Sequence, residues 1–186
     1  PPSGVLSLQA TATIEVAKDV LSLVFSTSRE GGDAQAVQAG LKQALDAALA
    51  EARRAARPGQ VEVQTGNFAL YPRYGNPVRG GTPAITGWQG SAELVVQGKD
   101  AATIAQLAGR IGTMTVARAG YSLSREVREK VEAEAIAQAI ARWRAQAQLM
   151  SQQFGYGGFT VREVNVATNE PGPGGQVPMM RSKAMV

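Results

Sequence analysis

The chain contains neither histidine nor cysteine among its 186 residues. The absence of both residue types excludes thiol nucleophiles, disulfides, histidine-based acid–base relays and zinc sites built from Cys and His. Sites made only of oxygen ligands stay open to a hard cation. An enzyme with this sequence would have to use Tyr hydroxyls and carboxylates, so we expect a protein without catalytic residues, cofactor or metal site.

Two groups of residues have a type and spacing that invite a chemical interpretation. Glu132 and Glu134 lie two residues apart in a helical pattern, so they do not share a helix face as paired carboxylates would. Met179, Met180 and Met185 are soft ligands that suit a metal such as Cu(I). Chance composition of the C-terminal tail explains these methionines better, and neither group predicts a site.

Aromatic and basic residues share one loop. Tyr71 and Tyr74 beside Arg73 and Arg79 suit the stacking of bases from a single-stranded nucleic acid. The net charge of +4 and the pI near 9.7 agree with an anion- or nucleic-acid-binding module, which we keep as the alternative function. The basic residues are scattered rather than clustered, however, so we expect no nucleic-acid partner.

Four residues near this loop form a second candidate set. Thr65, Phe68, Pro72 and Tyr74 either line a pocket, with the Tyr hydroxyl as its polar group, or fix the end of a strand and the entry to the loop. The structural interpretation is the commoner one for such a set, and we favour it.

The elements that must position these residues follow from periodicity. Alternation of apolar and polar residues predicts strands over residues 5–16, 20–28, 61–71, 88–96, 114–123 and 159–166. The turn Ala17-Lys18-Asp19 predicts a hairpin between the first two strands. The stretch 73–86, rich in Gly and Pro, predicts a long hairpin loop.

Helical spacing predicts three helices between these strands. Asp33 caps the first helix, which ends at Pro58-Gly59, and a short second helix ends at Gly112. The third and longest helix is alanine-rich, starts after Ser124 and stops at Gly155 in a left-handed conformation. The apolar stripe expected to face a sheet consists of Ile136, Ile140, Trp143, Ala147, Met150 and Phe154.

This order of elements predicts an α+β fold, with helices packed on a mostly antiparallel sheet. We expect residues 1–168 to form one domain of two intimately joined α/β halves. Residues 169–186, rich in Gly, Pro and Met, predict a flexible tail without helix or strand. No run of apolar residues approaches the roughly 20 that a transmembrane helix needs.

The residues singled out above resemble the SIMPL domain family over about residues 5–166. Asp19 matches the aspartate of the family's Pro-Asp-x-Ala motif at the end of its first alternating strand. The signature Thr-x-x-Phe-x-x-x-Pro-x-Tyr is similar to the set that begins at Thr65. Further similar positions are Gly87, Trp88 and Ser91, which match a Gly-aromatic-x-x-Ser element, and Gly155 at the end of the alanine-rich helix.

Three positions depart from the family pattern. Ala10 and Ala12 stand where glycines are usual, and Lys18 stands where Pro is usual. Members often close with a strand after a Gly- and Pro-rich segment, and the sequence up to Val186 shows no pattern for it. We therefore expect an unpaired sheet edge at residues 159–166, which either a second copy of the chain covers or Arg162, Glu163 and Asn165 blunt. The long helix is the alternative surface for self-association.

The resemblance implies a periplasmic or secreted bacterial envelope protein, exported by a signal peptide and prone to form symmetric homo-oligomers. Another envelope protein is an expected partner. Relatives are linked to oxidative-stress defence and to immunogenicity, and mammalian members act as signalling adaptors. The family has no established catalytic residues, so its matched positions are expected to be structural. The chain starts without Met, which fits a cleaved signal peptide and equally an artificial start.

Overall fold

The structure, a computed structural model, describes residues 4–169 and the backbone of the strand at 180–185. These residues form three helices and seven strands, which confirms the predicted α+β class. The helices are α1 (Ala34–Arg54), α2 (Ala101–Arg110) and α3 (Arg125–Gln153). The strands are β1 (Val5–Ala10), β2 (Val20–Gly31), β3 (Glu62–Tyr74), β4 (Ile85–Gly98), β5 (Thr115–Ser122), β6 (Thr160–Val166) and β7 (Met180–Met185). None of the described helices has both the length and the apolar character needed to cross a bilayer.

The chain forms two compact units. The central unit is the continuous segment Lys18–Ser124, and the terminal unit combines Pro1–Ala17 with Arg125–Val186. The chain therefore passes from one unit to the other twice, after Ala17 and after Ser124.

The central unit is an antiparallel sheet of four strands in the order β3-β4-β2-β5. Helices α1 and α2 lie on one face of this sheet, so alternate residues of each strand are buried under them. The buried set includes Leu21, Leu23 and Phe25 of β2, Ala92, Leu94 and Val96 of β4, Leu41, Leu45 and Ala48 of α1, and Ile104 and Leu107 of α2.

Two local features fix α1 against the sheet. Asp33 accepts hydrogen bonds from the backbone N–H groups of Gln35 and Ala36, which confirms the predicted N-cap. On β4, a Cβ at Gly90 would lie 2.6 Å from the carbonyl oxygen of Ala69 and 2.7 Å from a methyl group of Leu41. Only glycine therefore lets the helix approach the sheet at this point.

The predicted hairpin between the first two strands is wrong. Strand β1 ends at Ala10 and pairs with β7, whereas β2 starts at Val20 and pairs with β4 and β5 in the other sheet. The first strand was predicted to be longer, but beyond Ala10 only the burial of an alternate residue remains. That residue is Ala12, which packs against Ala139. Alternation reports which face is buried, and it does not report which strand is the neighbour.

The terminal unit is an antiparallel sheet of three strands in the order β1-β7-β6, with α3 packed against β1. Its core is small and is built around Trp143 of α3, which packs with Ala10 and Ala147. The ring of Phe159 meets the Trp143 ring edge-on, with centroids 5.7 Å apart and planes at 81°.

The buried face of α3 differs from the predicted stripe. Trp143 and Ala147 are buried as expected, but Ile140 and Phe154 are 37% and 69% exposed, and Met150 is only half-buried. The residues buried on α3 are spaced four apart: Ala139, Trp143, Ala147 and Ser151. The small side chains of Ala139, Ala147 and Ser151 flank the large ring of Trp143 and allow close packing along this face. Side-chain size therefore decided which face of α3 is buried more than apolarity did.

The expected absence of helix and strand in residues 169–186 is wrong for Met180–Met185. This segment is β7, the central strand between β1 and β6, and the chain thus has the closing strand that its sequence did not show. Its residues alternate poorly, so pairing on both sides rather than propensity makes it a strand. Residues 170–179 and 186, which include Met179, lie outside the described residues.

Candidate functional site

The residues matched to the family signature meet in the β3–β4 hairpin. Thr65, Phe68, Pro72 and Tyr74 lie on β3, and Gly87, Trp88 and Ser91 lie on β4. The two strands are antiparallel, which places Pro72 directly opposite Trp88 and Ala69 opposite Ser91. The predicted hairpin is confirmed, and its strands reach further into the loop than the sequence indicated, so that only residues 75–84 connect them.

The first part of the signature surrounds a β-bulge. Thr65 lies opposite Leu94 and Phe68 opposite Ala92, so three steps along β3 match two steps along β4. The extra space is taken by Glu93, whose carboxylate accepts a hydrogen bond from the backbone N–H of Asn67 at 3.4 Å. A Cβ at Gly66 would lie 2.9 Å from the Cβ of Glu93, so this bulge needs a glycine.

The second part of the signature anchors the hairpin to the core of the central unit. Trp88 is half-buried and packs against that core together with Leu70, while Pro72 faces Trp88 from the neighbouring strand. Tyr74 is 62% exposed, and Thr65 and Phe68 are exposed as well. The four signature residues of β3 therefore do not enclose a pocket.

Two arginines near the hairpin form ion pairs. Arg73 contacts Glu30 of β2 at 2.8 Å, and Arg118 of β5 contacts Glu93 at 3.3 Å. Tyr71 and Tyr74 are exposed and open to stacking, but the guanidinium of Arg73 between them is held by a carboxylate. Arg79 in the connecting loop is exposed and has no ion pair among the described residues, so this surface offers aromatic rings together with the Arg79 guanidinium to a phosphate backbone.

Asp19 lies away from the hairpin, next to the point where the chain enters the central unit. Its carboxylate accepts a hydrogen bond of 2.6 Å from the backbone N–H of Ser124, the last residue of that unit. The hydroxyl of Ser124 and this N–H hold the pKa of the Asp19 carboxyl below its ordinary value. Asp19 thus ties the two ends of the central unit together.

Gly155 ends α3 with a φ of +83°, which confirms the predicted left-handed stop. Just before it, the hydroxyl of Ser151 donates to the carbonyl oxygen of Gly158 at 2.9 Å. Earlier on α3, Glu132 accepts a hydrogen bond from the hydroxyl of Thr168 at 3.2 Å. The part of the chain that the structure describes holds no group of three acidic residues arranged to bind a metal ion.

Two partners of these residues were not predicted from the sequence. Glu93 fills the bulge, and Ser124, after which the third helix was expected to start, donates its backbone N–H to Asp19. An isolated Gly66 inside a strand pattern is the signal that indicates a bulge. No local pattern links Asp19 with Ser124, because the two residues are distant in the chain.

The fold and the hairpin define an α+β protein with two antiparallel sheets, in which the signature set that begins at Thr65 lies on β3 of the central sheet. Over residues 6–186 the chain matches the model of the SIMPL family, described as a protein of unknown function (DUF541). The chain belongs to the SIMPL family. The match extends through β7, beyond the stretch of resemblance seen in the sequence. A search of curated proteins returned no match.

Proposed function

We propose that this protein is a non-enzymatic component of the bacterial envelope that acts through self-association and surface contacts. Its signature residues support this proposal, since they bend, pair and anchor strands rather than converge on a reactive centre. Periplasmic or secreted localisation and a role in defence against oxidative stress are parts of the proposal that rest on the family resemblance.

The observation that carries the proposal is the incompletely covered terminal unit. Val161, Val164 and Val166 of β6 are 50%, 49% and 49% exposed. The register places them on the same side of the sheet as Leu6, Leu8 and Ala10, the side on which α3 packs. The one-residue bulge at Arg162 keeps all three valines on that side. Exposed apolar side chains beside open strand edges are typical of surfaces that another chain covers.

The alternative, an anion- or nucleic-acid-binding module, has less support. Many arginines contact a neighbouring acceptor within the same chain, which weakens the field that a phosphate would meet. The arginines that pair with a carboxylate include Arg54, Arg57, Arg73, Arg118 and Arg125.

Solution mass tests the proposal. Light scattering at tens of micromolar protein should give a multiple of the 19.5 kDa chain mass. The mass should be the same at low and moderate salt, because apolar contacts and backbone pairing are screened little. A monomeric mass under both conditions would contradict self-association. Affinity for single-stranded DNA that falls steeply with salt would instead favour the alternative.

The cellular part of the proposal has its own test. The full-length protein, expressed in its native bacterium, should be released with the periplasmic fraction by osmotic shock or recovered from the medium. Recovery with the cytosol would contradict envelope localisation. Loss of the gene should lower survival after peroxide exposure, and unchanged survival would remove stress defence from the proposal.

A further inference from the structure

We infer that the free edge of β1 is the contact through which two copies of this chain associate, by antiparallel pairing of β1 with β1 of the second copy. Two three-stranded sheets would then become one continuous sheet of six strands. This inference rests on the proposed self-association and specifies one contact through which it would occur, at the sheet edge opposite β6.

The described sheets expose four edge strands, and three of them are protected against pairing. In the central unit, β3 has a bulge and Pro72, and β5 has a register shift and Arg118. In the terminal unit, β6 has a bulge at Arg162, followed by Glu163. Bulges, prolines and charges are the means by which proteins prevent unwanted strand addition.

Strand β1 has none of these protections. Its six residues, Val-Leu-Ser-Leu-Gln-Ala, contain no charge and no proline. They pair with β7 without a register shift, from Val5 opposite Met185 to Ala10 opposite Met180. Within the described part of the chain, β7 is the only strand that pairs with β1, so its other edge offers backbone donors and acceptors.

The side chains of β1 are suited to a neighbour on that edge. Ala10 is buried under α3, but Leu6 and Leu8 on the same face are only half-buried. Ser7 and Gln9 on the opposite face are exposed. An added strand would cover the flanks of the two leucines and would meet only neutral side chains.

The sequence of β1 is complementary to itself in an antiparallel arrangement. A two-fold axis at Leu8 places Leu6 opposite Ala10 of the second copy and Ser7 opposite its Gln9. An axis at Ser7 places Leu6 opposite Leu8 of the second copy. Both registers keep Leu6, Leu8 and Ala10 on one face, whereas an axis between Ser7 and Leu8 would place Ser7 opposite Leu8. The resulting contact is closed and symmetric, as in most homodimers.

Disulfide trapping in the full chain tests this pairing, because the chain has no cysteine of its own. The double variant Ser7→Cys/Gln9→Cys places a thiol opposite a thiol in either register, at a separation that cross-strand disulfides span. We expect a covalent dimer on non-reducing gels after mild oxidation. The matched control is Glu163→Cys/Asn165→Cys, with the same spacing on the exposed edge strand β6, and it should stay monomeric on the gel.

A second pair of variants separates this inference from the proposed function. Ser7→Lys/Gln9→Lys adds two like charges to the β1 edge and should lower the solution mass to that of a monomer. Asn165→Lys on β6 should keep the wild-type mass. Thermal unfolding checks that both variants fold. Two results with an oligomeric wild type would refute the β1 contact and leave self-association standing. One is a β1 lysine variant that folds and keeps the wild-type mass. The other is a stronger cross-link in the β6 control pair than in the β1 pair. A monomeric wild type would refute both.

Discussion

Trp143 is the residue on which the small core of the terminal unit depends. Its ring is buried between Ala10, Ala147 and the edge-on ring of Phe159. Its indole N–H is buried and finds no hydrogen-bond partner among the described residues. A buried donor without a partner costs about 1–3 kcal/mol of stability. Burial of the Trp143 ring therefore stabilises the terminal unit, whereas burial of its unpaired N–H destabilises it.

We therefore predict different effects for two substitutions of Trp143. Trp143→Ala should lower the free energy of unfolding by about 3–5 kcal/mol, because it leaves a cavity. Trp143→Phe should cost clearly less, since it keeps an aromatic ring and removes the unpaired N–H. Urea unfolding followed by far-UV circular dichroism measures both values. A loss below about 1 kcal/mol for Trp143→Ala would mean that the ring is not a core residue.

Asp19 should make the free energy of unfolding depend on pH in the acid range. A carboxyl whose pKa is lowered by folding stabilises the protein above its unfolded-state pKa, and this contribution is lost as the pH falls through the lowered pKa. We predict that the free energy of unfolding of the wild type decreases below about pH 4. Asp19→Asn should be less stable at neutral pH and should show a shallower decrease.

The decrease should persist in part in Asp19→Asn, because the hydrogen bond from the Thr103 hydroxyl also lowers the pKa of Asp100. Asp46→Asn is a suitable control, since Asp46 is exposed on α1 and contacts Lys42 within the same helix. Chemical unfolding at several pH values provides the curves. Identical slopes for the wild type and Asp19→Asn would show that the Ser124 contact does not stabilise the fold.

At the scale of elements, the signature on β3 spans a β-bulge between Thr65 and Phe68. Glycine at position 66 leaves room for Glu93, and the shift in register brings Phe68 and Pro72 opposite Ala92 and Trp88. The three-residue step from Thr65 to Phe68 in the signature is thus explained by the bulge in the β3 backbone.

Replacement of Gly66 by Ala tests this explanation. The added methyl group would meet the Cβ of Glu93 at 2.9 Å, so we predict a loss of about 1–3 kcal/mol. Gly109→Ala in α2 is the matched control, because nothing lies within 4 Å of its added methyl group. The control should stabilise the helix by about 0.5–1 kcal/mol. Urea unfolding distinguishes these opposite signs, and a neutral Gly66→Ala would argue against a glycine-dependent bulge.

At the scale of the whole molecule, the two units differ in how the chain builds them. The central unit is continuous and has its own core beneath α1 and α2, and the bond between Asp19 and Ser124 brings its ends together. The terminal unit joins segments from both ends of the chain, and its core is much smaller.

We predict that residues 18–124 fold alone into the structure of the central unit. The isolated segment should unfold cooperatively in urea and should show protected amides in β2 and β4 by hydrogen exchange. Residues 125–186 alone should not fold, because their sheet lacks β1. A fragment 18–124 without a cooperative transition would mean that its core requires the rest of the chain.

The sequence by itself determined the elements that depend on neighbouring residues. Asp33 caps α1, Gly155 stops α3, and the β3–β4 hairpin follows from two alternating strands around a Gly- and Pro-rich loop. These signals are local, since each depends on residues a few positions apart. The β3–β4 hairpin was predictable for the same reason, but the position of Glu93 in its bulge was not.

Only the tertiary structure decided the partners of the strands and the buried face of α3. Strand β7 is a strand because β1 and β6 flank it, although its own sequence alternates poorly. Strand β1 pairs with the far end of the chain, so no adjacent turn specifies its neighbour. On α3, Ile140 was the more apolar choice, but close packing with Ala12 selected Ala139 one residue earlier. Strand pairing and close packing bring together residues that are distant in the chain. Local periodicity depends on neighbouring residues, so it does not indicate these partners.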